Sequence, residues 1–502
     1  MNLHFSKELR DSLFKLDPRS MLAFRTLFSV ALLVDLIHRF VNTKYFFTES
    51  GVFPKAIWEK IYGYKPYYWS FHFNDVDWVI WTVVGAQVVL AVCVVIGYRL
   101  RTTLLISWIF LLSMNLSNPL LTYGGDKLSP GLLLIAGLLP LTFAQRKKAA
   151  GGPLSYLGGL LILTQMTILY IGAGEAKVWQ TYWMTGDALH NALNYNLLVK
   201  PFGVWFSQFD SILKVLSLAT PWAEIILPML FWVPSWGGRI RAVAILGVLG
   251  LNFGIFLMLD VGYFMFYASP GLICLLPPVF WDSISPITER AQRWLLRPGF
   301  SLGNRFSLWV TNETKAVDAS LESEPRPLGA MGRVQAAVMV WLVLVIAISG
   351  LEGMHAFKRV DWPKAVWNSV RTPNLYQNWG LFSNPDTNLM WYVGKAELNN
   401  GKLVDIIQGG ESLSYPRIRK RPSLFVSSFR WRLAFAKANK HKKFKEIRQA
   451  IAANVARKWN DEHSPDEHVK SLKILKMSKV LSDTFAYRRR WKLWATWDGS
   501  SG

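Results

Sequence analysis

The sequence predicts an all-α polytopic membrane bundle of about nine transmembrane helices, with a small α+β extramembrane C-terminal domain. The chain carries repeated apolar stretches of roughly 20 residues, the length of helix that crosses a hydrocarbon core about 30 Å thick. Hydrophobic residues make up 51% of its 502 residues, and it contains 24 Trp, which favours the headgroup level of a membrane. Lys and Arg concentrate in every second loop between the apolar stretches.

The predicted spans share low charge and high hydropathy. They lie near residues 20–42, 76–98, 102–123, 127–145, 155–174, 210–233, 240–259, 262–280 and 333–351. The loops after even-numbered spans are basic, with Arg99, Arg101, Arg146, Lys147, Lys148, Arg239 and Arg241 among their residues. Because short basic loops stay in the cytoplasm, we expect a multi-pass protein of the cell membrane with a cytoplasmic N-terminus and an extracytoplasmic C-terminal domain.

The chain divides into three regions. Residues 1–19 are expected to form a cytoplasmic amphipathic segment, and residues 20–351 are expected to form the transmembrane domain. Within the latter, residues 283–332 are expected to form a cytoplasmic linker because Pro, Ser and Glu cluster there. Residues 352–502 are polar and basic, which favours a separate extracytoplasmic domain.

The C-terminal region has both strand and helix patterns. Asn399-Asn400-Gly401 lies between two apolar-alternating stretches, a pattern that predicts a hairpin between Trp391–Leu398 and Lys402–Ile407. The other predicted elements are a basic helix at Phe425–Trp459 and strands at Val469–Met477 and Arg490–Trp497. Leu475 shifts the phase of the alternation in the first of these strands.

The net charge of +23 is explained by the basic loops and the basic C-terminal region. The expected partner is therefore the lipid bilayer rather than a nucleic acid. Cys93 and Cys274 lie in apolar spans, which favours packed side chains over redox groups. No stretch has the Cys and His spacing of a zinc site, so no metal site is expected.

The first span contains four ionisable residues, Arg25, Asp35, His38 and Arg39. Asp35, His38 and Arg39 share one helical face. Ionisable side chains within a span usually face the bundle interior or a wet cavity, so these residues predict an intramembrane polar cluster. In the alternative reading, His38 and Arg39 lie at the membrane interface, Asp35 only pairs with Arg39, and Arg25 snorkels to the opposite surface.

A glycine-rich turn joins the third and fourth spans. Gly124 and Gly125 allow a close approach of the backbone, and Asp126 is then expected at the mouth of a site on the outer side. The alternative is a tight turn in which Asp126 caps the following helix.

Lys177 lies where the fifth span leaves the apolar layer. A desolvated lysine could act as a base, whereas a lysine at the end of a span commonly snorkels to the surface. Trp183, Asp187 and His190 follow within the same outer segment; Asp187 and His190 share a face and either orient a substrate or bond to each other. Glu175 would hold a proton on Lys177 if it reached the amine.

Several motifs, in order and spacing, resemble those of vitamin K-dependent gamma-carboxylase and its bacterial relatives, the HTTM (horizontally transferred transmembrane) family. The matching segments are Phe24–Phe28, Leu33–Leu36, Asp77-Trp78, Ile96–Arg99, Asn118–Asp126, Ile171–Lys177 with Trp183 and Gly186, and Gln377–Pro385. The resemblance covers roughly residues 18–280 and 350–410.

This resemblance implies that Lys177 is the base that deprotonates a reduced quinone. The carboxylase has a histidine near the place of Asp126, and its outer domain is much larger than residues 352–502. The resemblance therefore implies quinone or lipid binding rather than glutamate carboxylation.

Three functions remain open at this point. One is a quinone-dependent modifying enzyme with Lys177 as its base. Another is a non-enzymatic accessory protein for maturation or export of a secreted peptide, held by basic residues such as Arg417, Arg419, Lys420, Arg421 and Lys440–Lys445. A third is a lipid-binding subunit of a larger membrane assembly, in which the charges of the first span serve helix packing.

Overall fold

The fold was obtained as a computed structural model that is mostly helical. It describes residues 7–63, 70–72, 76–141, 153–195, 199–295, 329–357, 362–371, 373–384, 389–413, 428–440, 445–481 and 487–499. The helices of the bundle are α1 (Lys7–Phe14), α2 (Pro18–Val41), α3 (Thr43–Phe46), α4 (Lys55–Tyr62), α5 (Asp77–Ile96), α6 (Leu100–Ser117), α7 (Gly124–Leu138), α8 (Pro153–Val178), α9 (Thr181–Thr185), α10 (Ala188–Tyr195), α11 (Pro201–Phe206), α12 (Asp210–Leu230), α13 (Arg239–Met258), α14 (Phe264–Ile273), α15 (Pro278–Leu295) and α16 (Ala330–Glu352).

Among the described residues, seven helical segments are long and apolar enough to cross a membrane. They contain α2, α5, α6, α8, α12, α13 and α16. An eighth crossing is possible if α14 and the first part of α15, which meet at an angle of 98°, form one broken span. The polytopic helical bundle is therefore confirmed, whereas the expected count of nine spans is not.

The two remaining predicted spans are shorter than their apolar stretches suggest. Helix α7 has 15 residues, which is roughly 22 Å of helix and less than the hydrocarbon thickness. Helix α14 ends at Ile273, shortly before the Pro277-Pro278 pair at which the chain turns into α15. Proline cannot continue the hydrogen-bond ladder, which explains a bend that a count of apolar residues misses.

Helix α8 lies at the centre of the bundle, and 67% of its most apolar stretch is buried. It packs against α12 and α16, while α2 packs against α5 and α14. Near the start of α8, Gly159 lies against the end of α1, since a β-carbon at Gly159 would overlap the Phe14 carbonyl. The segment 283–332, predicted as a linker, begins as a helix, because α15 continues to Leu295. Residues 296–328 lie outside the described residues.

The C-terminal domain contains a five-stranded antiparallel sheet of order β3-β2-β1-β4-β5. Its strands are β1 (Leu389–Leu398), β2 (Leu403–Asp405), β3 (Glu411–Ser412), β4 (Val469–Leu481) and β5 (Tyr487–Asp498). The hairpin predicted around Asn399-Asn400-Gly401 is confirmed, because β1 and β2 pair on either side of it. The phase change at Leu475 is also confirmed, because Leu472 and Ile474 belong to the main buried cluster whereas Leu475 and Met477 pack with Trp391 and Val393 in a separate one. The pairing of β4 with β5 shifts at the same place, where Trp494 is the extra residue of β5.

Helices α17 (Lys364–Arg371), α18 (Phe429–Lys440) and α19 (Lys445–Glu462) complete the region that follows α16. The basic helix predicted at Phe425–Trp459 corresponds to α18 and α19 in the described residues, and residues 425–427 and 441–444 lie outside them. Phe435 stacks on Trp494 of the sheet, with ring centroids 5.0 Å apart. Both residues belong to a buried apolar cluster that extends from this region into the bundle.

One end of the bundle carries this domain, and we call it the domain end. Lys44 forms an ion pair with Asp461 of α19, and Lys60 forms one with Glu446. The Asn454 amide donates to the Ser50 carbonyl at 2.9 Å. The described residues between α2 and α5 and the C-terminal domain therefore lie at the same end.

Asp405 gives the domain a pH-dependent stability. Its Oδ1 accepts three backbone N–H groups, from Gly394, Ile407 and Gln408. Burial nevertheless raises the pKa of the Asp405 carboxyl from 3.8 to about 6. Since the folded pKa is the higher one, this stabilisation is complete below the unfolded value and is lost as the pH rises through about 6.

We expect Asp405→Asn to remove this pH dependence, because the amide oxygen still accepts the backbone hydrogen bonds and cannot ionise. Between pH 4 and pH 7 the wild type should lose about 2 kcal/mol relative to the variant. Thermal unfolding of both proteins across this range measures the difference. Glu397→Gln is the control, because Glu397 is a half-exposed carboxylate of β1 that pairs with Lys470. Parallel curves for the wild type and Asp405→Asn would contradict the expectation.

Candidate functional site: two buried charge sites at the domain end

An arginine–aspartate cluster joins the bundle to the C-terminal domain. It consists of Asp35 and Arg39 of α2, Asp126 of α7 and Arg430 of α18, and their side chains are at most 2% exposed. Arg430 bridges both carboxylates, with Nη2 2.7 Å from Asp35 and Nη1 2.9 Å from Asp126. Arg39 also contacts both, at 2.8 Å from Asp35. Two positive and two negative charges therefore neutralise each other.

Neutral groups also bond to members of this cluster. The Tyr267 hydroxyl donates to Asp35 at 2.9 Å, and Arg39 donates to the Asn115 side chain at 2.9 Å. Asp126 also accepts from the Tyr123 backbone N–H at the start of α7. Asp126 thus caps a helix, which is the alternative reading of the glycine-rich turn, and it is buried in an ion network rather than placed at a cavity mouth.

The polar cluster predicted in the first span is divided by the structure. Asp35 and Arg39 belong to the arginine–aspartate cluster, whereas Arg25 lies near the other end of α2 against Gly97. A β-carbon at Gly97 would overlap the Arg25 guanidinium, and Gly97 has φ +79°, so this contact requires glycine. His38 lies against Tyr263, with ring centroids 6.4 Å apart.

A cavity of about 420 Å³ lies beside Lys177, between α8, α12, α13 and residues 381–384. Its wall is largely apolar, and its polar side chains include those of Tyr170, Lys177, Glu224 and Asn252. Lys177 Nζ is 2.6 Å from Glu224 Oε2, and their side chains are 3% and 8% exposed. Lys177 is therefore buried and paired, and it does not snorkel to the surface.

The close approach of α8 and α12 brings this pair together. At Gly174 a β-carbon would lie 2.7 Å from the Pro221 carbonyl oxygen and 3.0 Å from the Glu224 β-carbon. Small residues permit such contacts between helices in membranes. Gly174 precedes Lys177 by three residues, so both lie on the helix face that meets α12.

Trp183 lines the cavity, and Gly124 contacts the cavity residue Leu381. The Trp183 ring lies 5.4 Å from Lys177 Nζ, and its Nε1 donates to the Ser383 carbonyl at 3.0 Å. Leu381 lines the cavity and contacts the Gly124 position, where a β-carbon would come within 2.7 Å. Gly125 lies against the Tyr123 ring instead.

The other expected mouth residues do not line this cavity. Asp187 bonds to the Thr185 hydroxyl at 2.6 Å, and His190 bonds to Asp210 at 2.9 Å. They do not bond to each other. Glu175 accepts from Trp179 and from the Ala356 backbone, so it is not the carboxylate that meets Lys177. Of the basic segment expected to hold a peptide, Arg417, Arg419, Lys420 and Arg421 lie outside the described residues.

Sequence reasoning missed Glu224 and Arg430. Glu224 carried a usable signal, because it is a carboxylate in the middle of a predicted span. Arg430 carried none, since it is one of many basic residues in a basic domain.

These features define a polytopic helical membrane protein whose described residues place two buried charge sites at the domain end of the bundle. No family model matches the sequence, no curated protein is similar to it, and no solved structure matches its fold.

Proposed function

We propose that this protein binds a reduced quinone in the Lys177 cavity and that the Lys177–Glu224 pair takes a proton from it. One observation carries the proposal: a buried ion pair forms part of the wall of an otherwise apolar cavity. Burying two charges costs free energy that apolar side chains would avoid, so such pairs in membrane spans often mark functional sites. The resemblance of Ile171–Lys177 to the HTTM family supports the same site.

The cavity suits an apolar ligand with one polar head. Its volume of about 420 Å³ falls within the usual range for small-molecule sites, about 300–1,000 Å³. The Lys177 ammonium provides a hydrogen-bond donor for a quinone or quinol oxygen. Leu216 lines the cavity and is 36% exposed on the apolar surface of α12, so a ligand dissolved in lipid has a route to it.

The proton step follows from the geometry of the pair. At rest, the Glu224 carboxylate holds Lys177 as an ammonium ion. When a quinol hydroxyl enters, its proton passes to the pair, either directly to Glu224 or to Lys177 after Lys177 has given its own proton to Glu224. Both orders end with neutral Glu224, an ammonium at Lys177 and a quinol anion beside that ammonium.

The proposed orientation places this chemistry at the outer face of the cell membrane. The loops at the opposite end of the bundle contain Arg99, Arg101, Arg239 and Arg241, and short basic loops favour the cytoplasm. The domain end, with Lys177 and the C-terminal domain, then faces out.

Filling the cavity tests the proposed site. A β-carbon at Gly250 meets no atom within 4 Å, and Gly250 lines the cavity. We expect Gly250→Phe to weaken binding of a short-chain naphthoquinol about tenfold or more, because the ring occupies the ligand's volume. Equilibrium binding to the purified protein measures this. Leu246→Phe is the matched control on the same helix, at a residue 45% exposed on its surface. Equal binding by both variants would place the ligand elsewhere.

A further inference from the structure

A second cavity, of about 740 Å³, lies at the end of the bundle opposite the C-terminal domain. It is enclosed by the α1–α2 link, the turn between α12 and α13, and the bend between α14 and α15. Three groups that favour an anion meet in it: Arg241, the first turn of α13 and Lys15.

Arg241 is the buried member of this set, at only 4% exposed. Its Nε donates to the Phe231 carbonyl at 2.6 Å. Within the described part of the chain, its buried Nη2 has no hydrogen-bond partner. An unused donor on a buried cation costs free energy, and a bound anion would recover it.

The start of α13 provides backbone donors at the same place. Gly237 and Gly238 line the cavity and have φ of +61° and +86°. No side chain caps the helix at Gly238, so no side-chain oxygen competes for the N–H groups of the first turn, although that of Arg239 donates to the Trp236 carbonyl. Because α13 has 20 residues, its N-terminus carries a substantial positive partial charge.

The carboxylates of the cavity already have partners. Arg19 binds Asp17 at 2.8 Å and Asp282 at 2.7 Å, and Asp11 accepts from the Tyr156 hydroxyl. Among the described residues, no ion pair involves Lys15 or Arg241. The lining thus has three acidic and three basic side chains, and its two cations that have no carboxylate partner among the described residues are Lys15 and Arg241.

We propose that this cavity binds a phosphate group, supplied by the headgroup of an anionic phospholipid or by free phosphate. A guanidinium together with the N–H groups of a helix N-terminus matches the oxygens of a phosphate. The nearby Trp236 is 76% exposed, as expected for a residue at headgroup level.

Ligand titrations distinguish the two sources. The purified full-length chain in dodecyl maltoside is titrated with dioctanoyl phosphatidylglycerol, with dioctanoylglycerol as the phosphate-free control. Inorganic phosphate is titrated separately, with chloride at equal ionic strength as its control. Binding of phosphatidylglycerol but not of phosphate indicates a headgroup site, and binding of phosphate indicates a site for the free anion. Binding of neither ligand above its control overturns the proposal.

Two variants of equal size locate the site. Gly237 has open space at its β-carbon position, and Asp and Asn both tolerate a positive φ. We expect Gly237→Asp to bind the ligand about tenfold more weakly than Gly237→Asn, because only the first adds a negative charge. Arg241→Gln should weaken binding by about the same factor. Because this variant also loses the Phe231 contact, the Gly237 pair provides the test independent of folding, and equal binding by that pair overturns the site.

Discussion

Arg430→Met is expected to detach the C-terminal domain from the bundle and to destabilise the protein by about 3–5 kcal/mol, the usual cost of removing one partner from a buried ion network. Arg430 bridges Asp35 and Asp126, which are both fully buried. Without it, two carboxylates share the single charge of Arg39. The bundle can then relieve the imbalance by taking up a proton or by admitting water, and either change opens the contact with α18.

Lys60→Met is the control for this prediction. Lys60 also joins the bundle to the domain, through Glu446, but the two side chains are 67% and 46% exposed. An exposed pair of this kind contributes about 0–1 kcal/mol. Thermal unfolding and limited proteolysis between the bundle and the domain measure both variants. If Arg430→Met and Lys60→Met behave alike, the cluster does not hold the domain.

Arg430→Lys separates charge from shape in the same cluster. Lysine keeps the positive charge but cannot give both carboxylates the paired donors of a guanidinium. We expect an intermediate stability between the wild type and Arg430→Met. Stability equal to the wild type would mean that charge balance alone is sufficient.

The sequence predicted those features that depend on local pattern. Seven of the apolar stretches form helices of membrane-spanning length because span length is set by the apolar run itself. The β1–β2 hairpin was predictable because Asn399-Asn400-Gly401 provides turn residues between two alternating strands. The bend after α14 was not predicted, since a hydropathy count gives no weight to where prolines stop a helix.

The candidate sites were only half predictable because each depends on a partner distant in sequence. Lys177 was identified as a candidate, but its environment depends on which face of α8 meets α12. Gly174 sets that face, and it brings Glu224 to the amine while Glu175 points to Trp179. Likewise, the pairing of Asp35 with Arg39 was only the alternative reading of the first span, and nothing in their own helix indicates Arg430.

Removing either member of the Lys177–Glu224 pair is expected to destabilise the bundle, whereas removing both is not. Lys177→Met leaves a carboxylate and Glu224→Leu leaves an ammonium in an apolar wall, at a cost of about 3 kcal/mol each. The double variant replaces the pair by apolar side chains and should be close to the wild type in stability. Thermal unfolding of the four proteins gives the coupling energy.

In this series of variants, the rate of proton uptake from the quinol should not follow the stability of the protein. The double variant has a folded cavity without the ammonium and the carboxylate, so we expect it to have lost proton uptake from naphthoquinol as fully as either single variant. His190→Ala is the control, because His190 bonds to Asp210 outside the cavity and should leave the reaction unchanged. A stable double variant that still deprotonates the quinol at the wild-type rate would make the pair a helix-packing contact. Stability restored without the reaction would instead mean that the chain keeps a costly buried pair for its chemistry, since apolar residues would serve packing equally well.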